Sequence, residues 1–166
     1  RWVMPVELSR ATLADILAEQ ATADWSVETE VFAYGRLPLA FSARCFTARA
    51  HNLPKDDCQF RCLDYPDGLL LATREEQSFL VLNGIQTQSA LTFNLLGSLD
   101  DLINLGVEVL RISPQSRYME NIINLFQACL QKTQSVAEAQ EKLQKIMPVG
   151  ACDGYWLGQA GMADSG

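Results

Sequence analysis

Glu30-Val31-Phe32-Ala33-Tyr34-Gly35 is a short, mostly apolar run closed by a glycine, and the chain behind it carries three of the protein's five cysteines, Cys45, Cys58 and Cys62. Val, Phe and Tyr suit a pleated, buried backbone, and Gly35 is a natural stop, so residues 30–34 are expected to form a strand. Residues 39–49 have helical composition, which would bring Cys45 close to that strand's C-terminal end. Residues 52–57, with Pro54 and two aspartates, then form a loop that delivers Cys58.

The pattern on either side is consistent with this strand. Residues 2–8 are expected to form a buried strand, after which Ser9 caps a helix whose Leu13, Ile16 and Leu17 share one face. Downstream, residues 69–73 and 78–83 are two apolar runs separated by Arg74-Glu75-Glu76-Gln77, the mark of a β-hairpin inserted after the cysteines. Residues 90–95 form a further strand. Ser98 with Asp101 suggests a capping box before Leu99, Leu102, Ile103 and Leu105, with Gly106 ending that helix. Residues 107–112 are the next strand. Tyr118, Ile122, Leu125, Phe126 and Cys129 then follow helical spacing, and a polar helix over 136–145 precedes Pro148. Strands alternating with helices predict an α/β fold of parallel βα units.

The 166 residues include 48% apolar and 20% charged side chains, an ordinary globular composition for one domain. The chain opens at Arg1 directly in an apolar run, and we expect a single domain, residues 1–166, cut from a longer chain that lacks its N-terminal half. No run approaches the roughly 18 apolar residues of a spanning helix, so the expected setting is cytoplasmic, with no membrane span. The net charge of −7, from 13 basic and 20 acidic residues, disfavours nucleic acid as a partner. Arg44, Arg49, Lys55 and Arg61 nevertheless lie in the stretch that holds the thiols. They form either a solvated face or an offset to the negative charge of a metal cluster.

Twelve residues separate Cys45 from Cys58, and three separate Cys58 from Cys62. Such thiol spacing fits zinc or an iron–sulfur cluster, whereas an odd cysteine count without an export signal argues against a disulfide framework. His51 lies between the cysteines, so Cys45, His51, Cys58 and Cys62 make a possible Cys3His zinc set. Simple packing of the thiols is the plain alternative. Cys129 falls on an apolar helix face and is expected to pack as a small hydrophobe. Cys152, beside Gly150 and Asp153, is expected in a turn. Trp2, Trp25 and Trp156 are expected to pack, with Tyr155-Trp156 able to cover a pocket. Glu30 is read mainly as structural. One histidine and no H-E-x-x-H motif give no recognisable hydrolytic machinery.

Read as Glu30-x-Phe32-x-x-Gly35-x-Leu37-x-x-Ala40-x-Ser42-x-x-Cys45, the stretch resembles the signature of the collagenase-like peptidase family. Pro38 stands where many members have another cysteine, and Ala43 where they usually have glycine. The pair Cys58 and Cys62, the wording Phe41-Ser42-Ala43-Arg44-Cys45-Phe46-Thr47-Ala48-Arg49 and the tail Asp153-Gly154-Tyr155-Trp156 resemble the UbiV branch, which works in oxygen-independent ubiquinone synthesis. The resemblance implies the C-terminal half of a (β/α)8 barrel-like domain carrying the inserted hairpin. It also implies a [4Fe-4S] cluster on Cys45, Cys58 and Cys62, with the fourth ligand outside this chain. The partners implied are a UbiU-like homologous subunit, a lipid-carrier protein and a prenylated aromatic ubiquinone precursor, the target of hydroxylation. A zinc-stabilised scaffold module and a collagenase-like peptidase are the alternatives.

Overall fold

The computed structural model describes residues 1–163, which form a mixed α/β structure with two sheets. At its centre is β2 (Thr29–Gly35), buried at every position. A strand buried on both faces must pair its backbone on both edges. Here β1 (Trp2–Val3) and β8 (Val109–Ile112) run parallel to it, with Val3 opposite Glu30 and Val109 also opposite Glu30. At the other end of β2, β7 (Thr92–Asn94) pairs antiparallel through Tyr34 and Gly35 and is itself parallel to β9 (Ala151–Cys152). Among the described residues this five-stranded sheet is open and closes into no barrel. The antiparallel β2–β7 contact departs from the expected succession of parallel units.

The helices cover this sheet. In α1 (Arg10–Gln20), the Ser9 hydroxyl accepts from the Thr12 amide and caps the first turn, while Leu13 is fully buried. Helix α4 (Met119–Leu130) buries Ile122, Leu125, Phe126 and Cys129, and α5 (Val136–Gln144), capped by Ser135, buries Ala139 and Leu143. Helix α3 (Leu99–Asn104) ends at Gly106, whose positive φ of 79° lets its amide reach Ile103 O and the next amide, of Val107, reach Leu102 O. Ser98 does not cap α3 as expected. It closes a 3-10 turn, Leu96–Ser98, that runs straight into the helix, and at ψ 15° rather than the extended backbone of a cap its side chain makes no capping bond.

The insertion is larger than a hairpin. Strands β3 (Pro38–Phe41), β4 (Leu69–Ala72), β5 (Ser78–Asn83) and β6 (Gln86–Ser89) form an antiparallel sheet in the order β3-β6-β5-β4. The predicted hairpin is β4–β5. Residues 39–41 are strand rather than helix because they pair with β6, and the helix starts only after Cys45, as α2 (Phe46–Ala50). The N-terminal strand is also shorter than 2–8, since a hydrogen bond from the Leu8 amide to Pro5 O turns the chain into α1. No helix among the described residues is long and apolar enough to cross a membrane.

Glu30, only 5% exposed, lies at the start of β2. Arg111 of β8 donates through Nε to one carboxylate oxygen, and Arg1 ahead of β1 donates to the other at 3.3 Å, so one buried acid clamps three strands. Arg111, with a smaller contribution from Arg1, holds the carboxyl below its ordinary value of 4.5 against the opposing effect of burial. A depressed folded-state value makes the clamp fully stabilising above the unfolded pKa, and the contribution is lost as pH falls through the folded value. Glu30→Gln should therefore lower stability at neutral pH and flatten its decline below about pH 4.5, checked by urea titrations across that range.

Candidate functional site

The three thiols sit in the insertion, on and after α2. Cys45 is the N-cap of α2: its Sγ accepts from the Ala48 amide at 3.5 Å, in the role that serine or aspartate usually fills. At the other end Asn52, at φ 54°, donates to Arg49 O while the Leu53 amide reaches Ala48 O, so the chain leaves the helix sharply towards Cys58. A 3-10 turn, Lys55–Asp57, precedes Cys58, and a second, Arg61–Asp64, contains Cys62. Between the thiols Gln59 and Phe60 both take left-handed backbone, at φ 53° and 52°. Each such residue costs about 1–2 kcal/mol when it is not glycine. This local strain sets the directions of Cys58 and Cys62.

The loop is braced at several points. The Arg61–Asp64 turn packs against α2, Lys55 Nζ donates to Ala43 O at 3.0 Å, and the rings of His51 and Tyr65 lie 5.7 Å apart. His51 Nε2 and the Tyr65 hydroxyl are 3.1 Å apart, which ties the sole histidine to the tyrosine. Cys45, Cys58 and Cys62 are all part-exposed and outside any disulfide. Thus α2 and its loop carry all three predicted thiols on one lobe.

Soft, accessible thiolates suit zinc or iron in kind. Their placement does not seat either. Among the described residues no three His, Cys, Asp or Glu side chains gather closely enough to hold a metal ion. Seating one on Cys45, Cys58 and Cys62 requires the three thiols to draw together, and a Cys3His set also requires His51, now 3.1 Å from the Tyr65 hydroxyl, to join them. The other thiols lie in the interior. Cys129 packs on the buried face of α4, where burial raises its pKa. Cys152 is 1% exposed within β9 rather than in a turn. Of the tryptophans, Trp156 is buried in the core, Trp2 packs against its edge and Trp25 is 61% exposed.

The insertion is fastened to the main sheet at the C-terminal ends of β2 and β8. Gly35, at φ 120°, brings β2 against Ser113, and an added Cβ would lie 2.7 Å from the Ser113 Cβ. Asp67, just beyond the cysteine loop, accepts from the Ser116 amide at 2.7 Å and from its hydroxyl at 2.5 Å. Ser89 likewise accepts from the Leu37 amide through Oγ and donates from it to Leu91 O. Buried Tyr34 donates to Gln115 Oε1 at 2.8 Å, and burial pushes its hydroxyl pKa upward. Sequence reasoning missed these fastening residues. Asp67 and Ser116 are ordinary loop residues, and only the fold brings them together.

The Cys45 cap separates folding from ligation. Cys45→Ser should keep or strengthen the cap and leave the melting temperature level or slightly raised, whereas Cys45→Ala should lose about 0.5 kcal/mol, measured by thermal and urea unfolding.

No solved structure matches this chain. Compared with models of protein families, residues 1–165 match the one described as peptidase family U32. That match takes in the β2 strand, the whole insertion and the helices behind them, and on it the chain belongs to peptidase family U32.

Proposed function

We propose that this chain is part of an iron–sulfur protein of the UbiV branch of the family, a subunit of an oxygen-independent hydroxylase in ubiquinone synthesis. The observation that carries the reading is the set of three part-exposed thiols on one short, strained segment behind β2. Cys45, Cys58 and Cys62 would hold three irons of a [4Fe-4S] cluster, and the fourth ligand would come from outside residues 1–166. Closing the site needs the three thiols to draw together. A bound cluster supplies one-electron transfer.

Two features suit a complex rather than a lone chain. Phe60 and Leu63, which flank the second and third thiols, are 73% and 78% exposed, and a covering surface would remove them from water. A UbiU-like homologous subunit is the partner this reading names, with a lipid-carrier protein presenting a prenylated aromatic precursor. The sheet, open among the described residues, suits the C-terminal half of a (β/α)8 barrel-like domain. A cytoplasmic setting goes with this role.

With one histidine and no H-E-x-x-H motif, the sequence shows no recognisable hydrolytic machinery for the peptidase reading. Zinc on the same thiols is the second reading, and it makes the loop a structural module instead. The intact protein, prepared without air, should carry iron and acid-labile sulfide in equal amounts and give a reduced-state electron paramagnetic signal. Cys58→Ala should lose most of the iron and the colour while its circular dichroism stays that of the folded protein. Zinc without iron in the anaerobic preparation would establish the scaffold reading instead.

A further inference from the structure

The loop that carries Cys58 and Cys62 begins and ends on two side chains that touch each other. His51 closes α2, its amide reaching Ala48 O, and Tyr65 closes the Arg61–Asp64 turn, its amide reaching Cys62 O. Their rings lie 5.7 Å apart, and His51 Nε2 is 3.1 Å from the Tyr65 hydroxyl. Residues 52–64 thus leave the fold and return to it at one place, in the manner of an Ω-loop.

Inside the loop the bonds are short-range. Those from the amides of Asp57, Arg61 and Leu63 to the carbonyls of Pro54, Cys58 and Phe60 shape single turns and do not join one half of the loop to the other. The Arg61–Asp64 ion pair is equally local and exposed at both partners, so it adds little. Phe60 and Leu63 lie in water and anchor nothing by burial. The outgoing half is held by Lys55 on Ala43 O and by the Leu53 amide on Ala48 O. The returning half, which carries the thiols, relies on the packing of the Arg61–Asp64 turn against α2, with the His51–Tyr65 pair at its base. Left-handed Gln59 and Phe60 lie in this half, and strained backbone of that kind persists only where its surroundings hold it.

A contact at the base of a loop has more leverage than one at its tip, because pinning both ends restricts every residue between them. The bond also occupies the histidine. Whichever atom donates, Nε2 has no lone pair left for a metal while the bond holds.

We propose that His51 and Tyr65 form a latch that keeps residues 52–64 closed and holds Cys58 and Cys62 on the same lobe as Cys45. Both are positioning residues, since they act on the thiols through the loop. The latch needs no metal and stands whether the thiols take iron, zinc or neither, so its test is separate from that of the iron–sulfur reading.

The intact protein, kept reduced and metal-free by a chelator, is digested with trypsin, and cuts after Lys55 and Arg61 are followed by mass spectrometry. The cut after Arg74, between β4 and β5, is the internal control. Tyr65→Phe keeps the ring and deletes the hydroxyl, and it should speed both loop cuts about fivefold, since cleavage follows the open fraction of the loop. His51→Ala should speed them at least as much, and adding Tyr65→Phe to it should bring no further change, because the bond is already gone. Alkylation by iodoacetamide should quicken at Cys58 and Cys62 while the interior Cys129 and Cys152 keep the parent rate. The proposal is overturned if Tyr65→Phe is cut in the loop as slowly as the parent, if Arg74, Cys129 and Cys152 respond as strongly as the loop does, or if the two substitutions add.

Discussion

Complete burial of β2 is the constraint on which the remaining architecture rests. Seven consecutive buried residues leave their backbone groups no water to bond to, so every edge position needs a protein partner. The chain supplies partners from three distant places: β1 and β8 alongside, and β7 at the far end. The one charged side chain in the strand, Glu30, is answered from both sides by Arg111 and Arg1. A buried acid without those cations would be strongly destabilising, so the arginines and the strand order are one solution to one problem. Everything with chemical potential then lies at the other end, where Gly35 releases the chain into the insertion.

What was legible in the sequence follows from the range of the forces involved. Strand β2, the Ser9 cap, the face of α4 from Ile122 to Cys129 and the turn at Gly106 are set by near neighbours along the chain and form as their patterns predict, whereas Tyr118, expected on that same face, precedes the helix at φ 63° and is exposed. Strand β3 was obscured because Leu39-Ala40-Phe41 is neutral in local preference and becomes strand only by pairing with β6. Strand β6 itself, Gln86-Thr87-Gln88-Ser89, is polar throughout and shows no alternation. Its available signal was the Asn83-Gly84 pair, where Gly84 at φ 61° opens a two-residue hairpin loop.

The grouping of the thiols was legible and their geometry was not. Spacing put three thiols on one segment, and the fold places them on one lobe, part-exposed, with two interior cysteines excluded. Between Cys58 and Cys62 the chain turns through the left-handed pair Gln59 and Phe60, and neither residue advertises that backbone in the way glycine or asparagine would. Arg36 and Thr92, at the end of β2 and the start of β7, had no sequence signal at all. An arginine and a threonine far apart in the chain become informative only when one proves half-buried with spare donors and the other proves orphaned.

The Asp67–Ser116 clasp has a mechanical meaning. It joins the segment just past Cys62 to the segment just past β8 by two bonds on one carboxylate. Neither segment can leave the other without giving up both bonds, so the loop that follows the cysteines is moored to the end of the main sheet at a single side chain.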